Sequence, residues 1–112
     1  MSATLINKEK FVKMLDTAKF AMIDTNDGEG YQIYNVVTNH RSYDYPDGEY
    51  AFVLVNDPRE VISLSEYIDH PDVDVLFEDN PRENLPTYII TCADPGWTEE
   101  DIEIVFVNPI RR

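Results

Sequence analysis

Six stretches of strand length constrain this chain more than any other feature in it. They are FAMID (20–24), YQIYNVV (31–37), EYAFVLV (49–55), VDVLF (73–77), TYIITC (87–92) and IEIVFV (102–107). Each is rich in Val, Ile, Phe or Tyr and lies between clusters of Gly, Pro, Asn, Asp and Glu, which is the pattern of short strands joined by turns. EYAFVLV is apolar at nearly every position, as a central strand covered on both faces would be. NDGEG (26–30) supplies the turn that joins the first two stretches as a hairpin.

Two helices complete the pattern. Asn7 can cap a helix over roughly 8–19, where Phe11, Met14, Leu15 and Ala18 fall at i, i+3, i+4 and i+7 on one apolar stripe. Asp57-Pro58-Arg59-Glu60 puts an acid at the N-cap, Pro at the first helical position and Glu at the third. That spacing predicts a second helix from 57 to about 68, with Val61, Leu64, Tyr67 and Ile68 facing inward and His70-Pro71 ending it. The predicted order is therefore α-βββ-α-βββ in a single α+β domain over 1–112. Strands at hairpin spacing imply a mostly antiparallel sheet of five or six strands packed with both helices. The order repeats halfway along, but residue identity between the halves is negligible, so the repetition reads as topological coincidence.

The stretch HRSYDYPDGEY (40–50) reads as a hairpin end. Pro46 presets φ, Asp47 tolerates the bridge region and Gly48 can turn left-handed, giving a three-residue loop. That loop would set Tyr45 opposite Glu49 and Tyr43 opposite Ala51.

Charge is distributed unevenly. The net charge is −13, yet all four lysines (Lys8, Lys10, Lys13, Lys19) lie in the first nineteen residues, and twenty of the twenty-two acids come later. Hydrophobic content of 43% with 12% aromatics excludes disorder in spite of that charge. Such a surface repels nucleic acid and anionic membranes and attracts basic partners. No apolar run approaches bilayer length, and MSATLINKEK lacks the charged-then-apolar start of a signal peptide. With a single cysteine, Cys92, these features point to a protein of a reducing cytoplasm.

EYIDHPDVDVLFEDNPRE (66–83) concentrates the acids. If 72–76 is extended, Asp72 and Asp74 share a face roughly 6–7 Å apart. Glu78, Asp79 and Glu83 continue a negative rim whose spacing is close to that of successive nucleic-acid phosphates. Tyr43, Tyr45 and Trp97 are the aromatic residues placed to act as interface anchors.

Signatures of catalysis or metal binding do not emerge. His40 and His70 stand thirty residues apart without companions at ligand spacing, and Cys92 reads as a small core residue in mid-strand. His70 reads as a helix-end residue. DTNDGEG (24–30) fails as a calcium loop, because Glu29 occupies the glycine position and Asn35 the position of the bidentate acid. No phosphate-cradling glycine loop is present, and no cofactor is expected. The leading expectation is a non-catalytic acidic module that binds a basic, nucleic-acid-binding protein. Its sharpest form, by analogy of size and charge alone, is a phage or mobile-element inhibitor of the anti-CRISPR or anti-restriction kind. Two alternatives stay open: a small-molecule or nucleotide-binding module using the tyrosines, and a structural homo-oligomer in which the lysine helix meets the acidic rim.

Overall fold

A computed structural model describes residues 3–80, 85–96 and 101–107. Its elements run β1 (Thr4–Ile6), α1 (Lys8–Leu15), β2 (Phe20–Asp24), β3 (Tyr31–His40), β4 (Glu49–Leu54), β5 (Val61–Ser63), α2 (Leu64–Ile68), β6 (Val73–Asn80), β7 (Leu85–Cys92) and β8 (Ile102–Val107). One eight-stranded sheet has the order β1-β6-β7-β8-β2-β3-β4-β5, and each pairing is antiparallel. The α+β class and the antiparallel sheet agree with the sequence reading. The order and the count of five or six strands do not, because a three-residue strand precedes each helix. Neither helix is long and apolar enough to cross a membrane.

Both helices lie on one face of the sheet, over a single core. Phe11 and Leu15 of α1 and Leu64 of α2 pack on Ala21, Ile23, Tyr34, Phe52, Val75, Ile90 and Ile104, all of them buried. Phe11 also meets the rings of Tyr88 and Phe106 at 5.9 and 5.8 Å between centroids, in tilted contacts that favour aromatic pairs. Asn7 caps α1 as expected, its side chain accepting from Glu9 N at 2.7 Å, but the helix stops at Leu15 rather than 19.

The helix predicted from Asp57 does not form there. Asp57 Oδ1 accepts from Arg59 N, and Glu60 N donates to the Asp57 carbonyl at 2.9 Å, so 57–60 closes a turn instead. Leu54 N then donates to Glu60 O, and the β-branched Val61 and Ile62 pair with Val53 and Phe52 as an edge strand. The helix begins only at Leu64, and its cap comes from elsewhere in the chain. The buried Glu49 carboxylate accepts from Ser63 Oγ at 2.5 Å and from Ser65 N at 3.3 Å.

The 40–50 hairpin also differs. His40, not Tyr45, stands opposite Glu49, after a bulge between Val37 and His40. The Pro46-Asp47-Gly48 turn forms, with Gly48 N donating to Tyr45 O at 3.0 Å. Ser42 starts a second turn by accepting Tyr45 N on both its hydroxyl and its carbonyl, which lengthens the loop to 41–48.

Candidate protein-binding face

Strand alternation gives the sheet one face under the helices and, among the described residues, one face that no helix covers. Among the described residues the large, exposed hydrophobics other than Tyr43 gather on the open side. Leu5, Phe20, Tyr31, Ile33, Val61 and Val107 lie on that side by strand alternation and register, and Val55 lies just beyond β4. Their rows are continuous across strands. Val107, Phe20, Asn35, Val53 and Val61 stand side by side, and Met22 links the exposed Ile33 to the buried Val105. Ile33 is 52% exposed, which is far from the burial of an inward strand position.

Acids border this field at one end of the strands. The start of β6 contributes Asp72 and Asp74, both exposed, flanking the buried Val73. The start of β8 contributes Asp101 and Glu103, and the β2–β3 turn contributes Asp24, Asp27 and Glu29. Glu103 and Asp24 are direct cross-strand partners, which sets two carboxylates side by side at this end of the sheet. The Asn26 side-chain amide donates to the Asp101 carbonyl and so ties the β2–β3 turn to the approach to β8. In the β4–β5 turn, Asp57 and Glu60 extend the same end. The Arg59 guanidinium beside Asp57 holds that carboxyl below the usual carboxylate range. Burial first, and then Glu60 and Asp27, push the Tyr34 phenol up.

The rim predicted along 72–83 is divided by this geometry. Asp72 and Asp74 stay together, whereas Glu78 lies half-buried four residues along β6, about 13 Å away by strand rise. Glu83 and Trp97 lie outside the described residues, as does the side chain of Asp79. Tyr43 is 99% exposed at the far tip of the 41–48 loop, and Tyr45 is half-buried beside it. Neither pairs across β4 as expected. Partial burial, then the carboxylates of Glu49, Glu66, Asp69 and Asp44, push the Tyr45 phenol up.

Sequence reading missed that Asp24, Asp27, Glu29, Asp101 and Glu103 share one end of the sheet with Asp72 and Asp74. The neighbourhood depends on β2 crossing to pair with β8, which no local signal encodes. It also missed a groove of about 490 Å³ on the helix side, lined by Lys8, Val12, Lys13, Asp16, Tyr50 and Ile68. That groove uses Tyr50, not Tyr43 or Tyr45. His70 sits past the end of α2 as expected, but it is not isolated. Its Nδ1 lies 4.0 Å from Cys92 Sγ and its Nε2 3.4 Å from Asp94 Oδ2. Cys92 is the last residue of β7 rather than a mid-strand residue. Within the described residues, no group of three His, Cys, Asp or Glu side chains converges as a metal site. Comparison with family models, curated proteins and solved structures finds no match to this chain.

Proposed function

We propose that this protein is a non-catalytic binding module whose open sheet face and acidic strand ends occupy a basic, nucleic-acid-binding surface of another protein. The observation that supports this reading most is the coincidence of two features on one face. Exposed Phe20, Ile33, Val61 and Val107 form an apolar field, and Asp72, Asp74, Glu103 and Asp24 border it with negative charge. A contiguous exposed apolar patch with a polar rim is the anatomy of a protein interface rather than of plain surface. The charge selects a basic partner and speeds its approach. A second copy of this chain on the same face would bring Asp24 and Glu103 against like charges, which disfavours that pairing. In its sharpest form the partner is a nuclease, and the module works as an inhibitor of the anti-restriction or anti-CRISPR kind.

The test is binding to a panel of basic nucleic-acid-binding proteins, with and without competing duplex DNA. The reading expects capture at low salt and release by the duplex. Changing Asp72, Asp74 and Asp101 to Asn should slow association and cost roughly 1–3 kcal/mol for each acid that is paired and desolvated in the complex. Changing Asp44, Asp47 and Glu66 to Asn, Asn and Gln removes equal charge around the distant 41–48 loop and should have little effect. Equal losses from the two triples would mean that only the overall field matters. Binding that duplex DNA does not displace would remove the nucleic-acid surface from the proposal.

A further inference from the structure

Three polar side chains meet where the α2–β6 turn passes the end of β7. His70 presents opposite edges of its ring to the other two: Nδ1 faces Cys92 Sγ at 4.0 Å, and Nε2 faces Asp94 Oδ2 at 3.4 Å. That arrangement cannot chelate one metal ion, because the sulfur and the carboxylate lie on different sides of the ring. It can relay a proton. The backbone N–H of Asp72 donates to Nδ1 at 3.1 Å, so Nδ1 carries a lone pair and the ring proton sits on Nε2, toward Asp94. Lys8 fixes the turn itself, its ammonium donating to the carbonyls of His70 at 2.9 Å and Ile68 at 3.2 Å. A thiol, a base with its acceptor nitrogen turned to that thiol, and a carboxylate orienting the base form the constellation that activates a nucleophile. Cys92 is half-buried against the core rather than sealed in it.

We propose that Cys92 is a nucleophilic thiol and a site of modification by hydroperoxides, with His70 as its base and Asp94 as the residue positioning that base. The thiol proton passes to His70 Nδ1, displacing the Asp72 amide from that lone pair. The sulfur attacks one peroxide oxygen, the S–O bond forms and the O–O bond breaks. The departing oxygen takes the proton from His70 and leaves as water or an alcohol. Sulfur is oxidised by two electrons and the peroxide is reduced, leaving a sulfenic acid. Cys92 is the only cysteine of the chain, so that sulfenic acid has no internal thiol to condense with and is resolved by an external one.

The test measures the rates of iodoacetamide alkylation and of hydrogen peroxide oxidation at Cys92 by intact mass, near neutral pH. His70→Gln keeps an acceptor for the Asp72 amide but removes the base. Its native-state rates should fall at least about tenfold, through loss of the positioned base. In denaturant the two proteins should react equally. Asp94→Asn should slow the native reaction, and Asp94→Glu should restore most of it. A purely packing role for His70 predicts the opposite sign, because loosening the turn exposes the sulfur. Native rates that are equal or faster in His70→Gln overturn the proposal. If that variant does not fold, the Asp94 pair decides the matter in the same way.

Discussion

At the scale of single residues, the polar groups that matter are held by partners distant in the chain. Glu49 looks like the polar start of a strand, yet it is buried and caps α2 through Ser65 N. Tyr50 donates its hydroxyl to Asp16 Oδ1 at 2.7 Å and so ties β4 to the end of α1. This hydrogen bond, then partial burial and the Asp16 charge, raise the Tyr50 phenol above its ordinary value. Burial raises Tyr88 and leads the causes that raise Tyr34. The sign of the consequence is fixed. A phenol whose folded value lies above its unfolded value of about 10 contributes stability that is complete below that pH. The contribution is lost as pH rises through the folded value. Stability should therefore be flat in this respect at neutral pH and fall above about pH 10. Tyrosinate absorbance followed alongside unfolding would check this, and Tyr50→Phe should soften the alkaline loss. An alkaline limb identical in Tyr50→Phe would show that the bond to Asp16 contributes nothing.

At the scale of elements, what was legible depended on length and on where the hydrogen bonds end. FAMID and IEIVFV appear as β2 and β8 with the expected boundaries, because five or six residues of β-branched and aromatic character form a sufficient local signal. β1 and β5 are three residues each and exist only because β6 and β4 offer an edge to pair with. No pattern of period two can be read from three residues. Asp57-Pro58-Arg59-Glu60 misled for a related reason. The same residue types that start a helix also close a turn, and the edge of β4 decided between the two. The 41–48 loop offers the direct test of turn chemistry. Gly48 has φ +100°, and a Cβ there would meet the Asn39 backbone at 3.3 Å. Gly28 has φ +91° with open space around it. Replacing Gly28 by Ala should cost about 1–2 kcal/mol for the left-handed backbone alone. Gly48→Ala should cost measurably more in urea unfolding, because it adds a tight contact with the Asn39 backbone at the bulged end of β3. Equal costs would mean that the loop shifts freely and does not fix the register of β3 on β4.

At the scale of the whole molecule, the repeated order is more complete than the sequence suggested. Each three-strand meander follows a short strand and a helix, and the two meanders join where β8 pairs with β2. This junction brings the acidic strand ends to one side of the sheet, while among the described residues both helices cover a single face. The molecule therefore sets two forces against each other in solution. A net charge of −13 keeps copies apart, while an open field bearing Phe20, Ile33 and Val61 favours contact. Salt acts on the first and leaves the second, because exposed charges are screened beyond about 8–10 Å at physiological ionic strength. Static light scattering should accordingly give a positive second virial coefficient at low salt that falls steadily as salt is added. Ile33→Ser should lessen the fall at high salt while leaving the low-salt value unchanged. Head-to-tail contact between the lysines of α1 and the acidic strand ends predicts the reverse, an apparent mass that is largest at low salt and declines with screening. Lys8 is already engaged with the carbonyls that close α2, which leaves Lys10, Lys13 and Lys19 to face so large an opposing charge. Repulsion should dominate at low salt, and a mass that falls with salt would show instead that the lysine helix docks on the rim.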